Sequence, residues 1–230
     1  MYFLHSDAIW NAHPDLYALT IAADGVRGMK DDPQRLEKLT PALETRLASA
    51  GESEMPEIAA WREAFSRMGM KPTQYRSASE ALLRRYRKEH SMPSFHPLVD
   101  YLNYVSMAFA IPIAAYDCEK ISGGITVRLA SGSETYATFQ GEIEHPAPDE
   151  TIFADEAGNA HARRWTHRQS AKSVVTAETD RVLVVAEAMH AAALRDLLSL
   201  EKEVRAALTE AGVRITNSKM ITPADRRFEL

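Results

Sequence analysis

LVDYLNYVSMAFAIPIAAYDCEKISGGITVRLA, residues 98–130, changes its period half-way along. Up to Ala110 the apolar residues recur with helical spacing, and Tyr101, Leu102, Val105 and Phe109 form one stripe. Pro112 ends that pattern. Beyond it come IAAYD and GITVRLA, short runs of β-branched and aromatic residues parted by the turn signal SGG. A helix from about Leu98 to Ala110 followed by strands is the expectation.

Downstream, ETYATFQ, TIFAD, NAHARRWTH and DRVLVVAEA continue the strand texture, separated by SGS and EAGN. An amphipathic helix then carries Leu194, Leu197, Leu198, Val204 and Leu208 on one side, with Gly212 as its terminator. Upstream of Leu98 the chain reads mostly as helices. Asp32 caps one that holds Pro33 in its first turn and Leu36, Leu39, Leu43 and Leu47 as its stripe. A second runs from about Pro56 to Met68 with Ile58, Trp61 and Phe65 buried. A third, ALLRRYRKE, follows the capping-box pair Ser77 and Glu80. DLYALTIAA, residues 15–23, is an isolated strand ended by Asp24-Gly25. The fold class is therefore α+β, a helical N-terminal half packed on a mixed or antiparallel sheet built mainly from residues 112–188. With no linker, repeat or low-complexity segment, one domain over residues 1–230 is expected.

The net charge is −5, so contact with a polyanion would need a local basic patch. One cysteine, Cys118, excludes an intrachain disulfide and a zinc cluster, and fits a reducing compartment. Its sequence neighbours offer nothing to lower the thiol pKa, so a structural thiol is the simpler reading. The longest apolar run, Val105 to Tyr116, is interrupted by Pro112, and the N-terminal MYFLHSDAIW lacks the basic, apolar and small-residue regions of a leader. A cytoplasmic protein without membrane contact is expected. No phosphate loop, nucleotide fingerprint, GxSxG or HExxH occurs, and no cofactor is implied.

Two basic clusters stand out. Arg84, Arg85, Arg87 and Lys88 lie on the third helix as candidates for RNA phosphate contacts, although an exposed helix face explains such charges equally well. The other is ARRWTHRQS, residues 162–170. As a regular strand it would turn Arg163, Trp165, His167 and Gln169 to one side and Arg164, Thr166, Arg168 and Ser170 to the other. Cation, indole, imidazole and amide on one face suit an anionic, flat ligand, with Arg163 as the ligand-facing cation and Arg168 structural or toward solvent. His161 and His167 would share a face, but no nearby carboxylate completes a metal set, and none is assigned.

PLVDYLNYVSMAFAIPIAAYDCEKISGGITVRLASGSET (97–135), followed in order by TIFAD and TAETDRVLVVAEA, resembles the B3/B4 editing module of the bacterial phenylalanyl-tRNA synthetase beta subunit. Asp100, Asn103 and Tyr104 match the helix of that module, and Pro112 to Asp117 its following segment. The resemblance implies a B3/B4-like core over residues 70–211, with residues 1–69 as an N-terminal helical extension packed on it. The synthetase core is absent, which implies a freestanding relative. The module's activity is hydrolysis of mischarged aminoacyl-tRNA by a positioned water.

Three departures are specific. Ala114 stands where the module has a pocket histidine. Val185 stands at its glutamate, with Glu187 two residues on. ARRWTHRQS replaces a glycine-rich wall. The module acts on wrongly charged tyrosyl-tRNA, and with these departures that tyrosine specificity does not carry over. Two functions follow from the resemblance. One is a trans-editing hydrolase with Glu187 and Asn103 orienting water, and Tyr116, Arg163, Trp165, His167 and Gln169 binding the aminoacyl end. The other is a non-catalytic module for an RNA end, an amino acid or a small carboxylate. Glu187 reads equally well as a wet strand-end acid, and Asn103 as bonding a neighbouring turn.

Overall fold

A computed structural model describes all 230 residues. In chain order it contains β1 (Tyr2–His5), α1 (Asp7–Ala12), β2 (Tyr17–Asp24), α2 (Pro33–Glu37), α3 (Thr40–Ser49), α4 (Pro56–Arg67), α5 (Ala78–Glu89) and α6 (Pro97–Phe109). There follow β3 (Ile113–Asp117), β4 (Ile125–Leu129), β5 (Tyr136–Ala137), β6 (Ile143–Glu144), β7 (Thr151–Ala154), β8 (Ala160–Arg163), β9 (Arg168–Gln169) and β10 (Arg181–Ala188). The chain closes with α7 (Ala193–Glu210), β11 (Arg214–Ile221) and β12 (Arg227–Glu229). No helix is long and apolar enough to cross a membrane.

The strands form two main sheets, ordered β12-β1-β4-β7-β8-β9 and β11-β2-β10-β3, with β5-β6 as a separate ribbon. Only β1 and β4 pair in parallel. The architecture is α+β, as the sequence predicts. Strand β10 shows why the layers stack as they do. Val182, Val184 and Ala186 face a core shared with Tyr101, Leu102 and Val105 of α6 and Leu197, Leu200 and Val204 of α7. Leu183 and Val185 face the opposite way and join Phe3, Ile125, Val127, Phe153 and Phe228 of the six-stranded sheet. A strand covered on both faces reads as a nearly continuous apolar run, which is how VLVVAEA reads. Glu187 follows the Leu183–Val185 period, so its carboxylate is carried between the sheets.

Four expectations are corrected. Residues 1–69 are not a purely helical extension: β1 lies inside the six-stranded sheet, and β2 lies between β11 and β10. Eight of the twelve strands, β3 to β10, nonetheless lie within residues 112–188, so the sheets are built mainly from that segment, as expected. The helix expected from Pro33 through Leu47 is two helices, because Pro41 cannot supply the N–H that a continuous helix needs there. On α7, Leu194 and Leu198 are 42% and 50% exposed, since the buried stripe runs through Ala193, Leu197, Leu200 and Val204. Ser77 caps α5 by accepting from the Glu80 amide at 3.4 Å, but the Glu80 carboxylate turns instead to arginines. Strands β1, β11 and β12 have no counterpart among the expected elements. The polar RITNSKMI of β11 lies at a sheet edge, where alternation is weak.

Burial sets a pH limit on this fold. His13 is depressed from 6.5 to about 4 by burial and by the charge of Arg67, and burial also lowers His96, His161 and His167. The unfolded chain takes up these protons near pH 6.5, whereas the folded chain resists until lower pH. Stability is therefore fully present above about 6.5 and declines as pH falls toward 4. A loss on the order of 1–3 kcal/mol between pH 7.5 and 5 is expected in urea unfolding. An unchanged or rising midpoint would contradict it.

Candidate functional site

At the end of β10, between the two sheets, lies a cavity of about 60 Å³. Its apolar wall includes Pro112, Ile113, Ala114, Phe153, Ala162 and Val185, and Glu187 supplies its carboxylate. That volume admits a water together with a small group. Glu187 is 2% exposed and has no lysine or arginine partner. His5 Nε2 donates to its Oε1 at 2.6 Å, and Trp165 Nε1 donates to Oε1 and Oε2 at 3.1 and 3.0 Å. Each carboxylate oxygen has more than one lone pair, so Oε2 retains capacity to accept from a ligand or water. Glu187 is thus not a wet strand-end residue. Its partner His5 was missed in the sequence. The only local signal was that Phe3 and His5 alternate with Tyr2 and Leu4, which places His5 on the buried face of β1.

Tyr116, on β3, also lines this cavity. Burial, reinforced by the nearby Glu187 charge, pushes its phenol well above the ordinary value, so it remains an O–H donor. Ala114 and Val185 pair across β3 and β10, and both line the cavity.

The opening residues of ARRWTHRQS do not continue as one strand. Arg164 and Trp165 adopt left-handed backbone, with φ of 49° and 56°, so the chain turns between β8 and β9. Left-handed backbone at a non-glycine residue costs roughly 1–2 kcal/mol, and surrounding contacts hold it here. The Trp165 amide donates to Thr151 O at 2.8 Å, and the Arg164 amide to Glu150 Oε1 at 3.0 Å. The Trp165 indole is fully buried, edge-on to Trp61 at 5.0 Å and to His13 at 4.8 Å.

The turn reverses the expected roles of two arginines. Arg163, expected to face ligand, is buried: Nε and Nη2 donate to Glu150 Oε1 and Oε2 at 2.8 and 2.9 Å, and Nη1 pairs with Glu144. Arg168, expected to be structural or to face solvent away from the site, lines the cavity with its side chain 40% exposed and its nearest carboxylate, on Glu144, at 3.9 Å. His167 and Gln169 also line the cavity. His167 Nδ1 lies 2.8 Å from Arg76 O, and Gln169 Nε2 donates to Ala115 O at 2.8 Å. His161 is not beside His167. It is buried between Asp155 Oδ2 (3.1 Å) and Ser173 Oγ (2.8 Å). This Asp–His–Ser line has the partners of a nucleophilic triad, but Ser173 and His161 have no exposed surface and line no cavity described here, so it is structural. The Cys118 thiol is pushed up to about 12, mainly by burial, and is no nucleophile either.

Asn103 is separated from Glu187. It lines an adjoining groove of about 660 Å³ with Leu102, Ala115 and Val175, and the rim residues Phe95 and Phe139 are 71% and 67% exposed. Ile113 and Gln169 belong to both spaces and form the wall between them. No side-chain hydrogen bond engages Asn103, so the expectation that it bonds a neighbouring turn fails.

The arginines of α5 are paired. Arg84 Nε donates to Glu80 at 2.9 Å, Arg85 Nε to Glu89 at 2.9 Å, and Arg87 Nε to Glu52 at 2.6 Å. Lys88 is exposed and has no paired carboxylate. Glu80 is fully buried and collects three cations: Arg62 at 2.8 Å, Arg84 at 2.9 Å and Arg76 at 3.7 Å. The Glu80 cluster carries more positive than negative charge, and its helix reaches the cavity at Ala78, whose amide donates to Thr166 O. Arg168 lines the cavity and Arg76 borders it through the contact of its carbonyl with His167, so these two arginines make a cationic rim.

A family model described as the B3/4 domain matches residues 60–217. The chain belongs to the B3/4 domain family. Among its relatives, the phenylalanine–tRNA ligase beta subunit of Tropheryma whipplei is 31% identical over 130 residues, 56% of this chain and 13% of that protein. The same subunit from Rickettsia conorii is 25% identical over 154 residues, 64% of this chain and 18% of that protein. The chain thus matches less than a fifth of either relative's length. A crystal structure of an N-terminal fragment of the Pyrococcus horikoshii phenylalanyl-tRNA synthetase beta subunit aligns with a TM-score of 0.48 at 13% identity, covering 95% of this chain and 53% of that one. His5 lies outside the segment matched to the B3/4 family, so the chain completes the Glu187 site with a strand the family match does not include.

Proposed function

We infer that this B3/4 chain binds the aminoacyl end of a charged tRNA and hydrolyses the ester with a water held by Glu187. The observation that carries this reading is a buried carboxylate with spare acceptor capacity in a small apolar cavity beside a cationic rim. The carboxylate accepts a proton from the water as the water attacks the carbonyl carbon. The ester's C–O bond then breaks, and Glu187 returns that proton to the 3′-oxygen of the tRNA, which leaves as a hydroxyl. In this reading the Tyr116 O–H and the Gln169 side chain, which line the cavity, have the role of orienting the substrate. Asn103 and the aromatic rim of the adjoining groove suit a base stacked next to the reacting end. The test is release of amino acid from a panel of mischarged tRNAs. Release no faster than in buffer, across the panel, would leave the enzyme reading without support.

The second reading, a non-catalytic binder of the same end, is favoured by one observation. Both oxygens of Glu187 already accept from Trp165, as they would if the carboxylate only shaped the pocket. Tight tRNA binding without turnover distinguishes it.

Phosphate contact is assigned to Arg168 and Arg76 with Arg84, ahead of Arg85, Arg87 and Lys88. Arg168→Ala is expected to weaken tRNA binding by about tenfold and to lower the slope of log K against log salt by ~1. Arg85→Ala is expected to change little. Filter binding at three salt concentrations compares them, and equal losses in the two variants would move the contact surface away from the cavity.

A further inference from the structure

We propose that Glu57, His190 and Asp196 form a site for a divalent transition-metal ion, which clips α4 to the junction of β10 and α7. One donor atom from each residue lies within 4.8 Å of the other two. Glu57 stands in the first turn of α4, His190 two residues past β10, and Asp196 in the first turn of α7. The cluster is therefore not a run of neighbours in the sequence. Glu57 and His190 are each 8% exposed.

The hydrogen bonding of the two carboxylates has the pattern of a metal site with its outer partners in place. Arg46 Nη1 donates to Glu57 Oε1 at 3.0 Å, and Arg195 Nε donates to Asp196 Oδ1 at 2.9 Å. Each arginine thus holds one oxygen and leaves the other for the centre. Glu57 Oε2 is buried and has no partner. Asp196 Oδ2 lies 2.9 Å from His190 Nε2. Neighbouring ligands on an ion with bonds of about 2.1 Å sit about 3 Å apart, so the His190–Asp196 pair already has ligand spacing. Glu57 has to close by roughly an ångström to complete the set. His190 Nδ1 is also buried without a partner, so the imidazole has one more nitrogen than the chain uses.

A buried carboxylate oxygen left unpartnered is costly, and a cation supplies what it lacks. One imidazole with two carboxylates suits Zn²⁺ or Mn²⁺ better than Mg²⁺ or Ca²⁺, which prefer oxygen alone. Residues that orient ligating carboxylates are a regular part of such sites. The consequence reaches the cavity, because α4 also carries Trp61, packed on Trp165, and β10 carries Glu187.

The whole chain is stripped with chelator, dialysed and titrated separately with Zn²⁺, Mn²⁺ and Mg²⁺. One equivalent of Zn²⁺ or Mn²⁺ is expected to bind by elemental analysis, with little response to Mg²⁺. At a hundredfold excess over Kd the melting temperature is expected to rise by about 5–10 °C. His190→Ala and Glu57→Gln are expected to abolish both effects. Glu57→Gln keeps the side-chain shape, so it decides the matter if the alanine variant does not fold. Neither readout involves hydrolysis, so the result stands apart from the proposed activity. Absence of bound metal in the native chain overturns the site, as does a folded variant that still binds one equivalent with the native shift.

Discussion

Arg163→Ala is expected to destabilise the protein by roughly 3–5 kcal/mol, the range for removing one partner of a buried ion pair. For a chain of this size that corresponds to a fall in melting temperature of about 6–20 °C. The reason lies in what the guanidinium leaves behind. Glu150 is mostly buried and faces Arg163 with both carboxylate oxygens, and Glu144 meets the same guanidinium. Burial raises the Glu150 carboxyl, and the hydrogen bonds and charge of Arg163 with Arg164 more than offset it, holding the carboxyl below the usual range. Without Arg163 that carboxylate is buried with only Arg164 near it. Arg168→Ala, at an exposed position with its nearest carboxylate 3.9 Å away, is expected to change stability by ~0.5 kcal/mol or less. Thermal and urea unfolding of the two variants side by side makes the comparison. A stable Arg163→Ala protein that has lost only ligand affinity would show that Arg163 faces the ligand after all.

Glu187→Gln is expected to lower the rate of ester hydrolysis by about 10²–10⁴-fold, the usual contribution of a positioned general base. KM is expected to change much less, because the amide keeps the shape of the carboxylate. Its oxygen still accepts from Trp165 Nε1, so the indole and the β8–β9 turn retain their support. Single-turnover deacylation with the variant in excess separates chemistry from binding. Unchanged turnover would remove Glu187 from the reaction and transfer the search for a base to the groove that contains Asn103.

Much of the local structure was legible in the chain. The helix stripe through Tyr101, Leu102 and Val105, the stop before Pro112, and the strands IAAYD, TIFAD and VLVVAEA are all present. Each follows from the spacing of apolar residues or from a residue with restricted backbone, and neither needs a distant partner. The site was partly legible for the same reason. Tyr116, Trp165, His167, Gln169 and Glu187 do meet around one cavity. Asn103 does not, because Gln169 and Ile113 stand between the two spaces.

The misassigned arginines show where local reading stops. Period-two alternation holds only while the backbone stays extended, and nothing in the residue types of Arg164 and Trp165 announces left-handed backbone. Contacts with Thr151, Glu150, Trp61 and His13 hold them there. The same applies to the basic helix, where Glu52, 35 residues before Arg87, neutralises a cation that looks free in sequence.

The sequence by itself determined the α+β class, the change of texture at Pro112 and the residues that bring polar chemistry to a B3/4 core. Only the tertiary structure decided which charges are spent on the fold and which remain available to a ligand. His5 and Glu187, 182 residues apart, become partners because β1 and β10 place them between the same two sheets. Burial and charge neutralisation depend on distance in space, and separation along the chain carries no information about it.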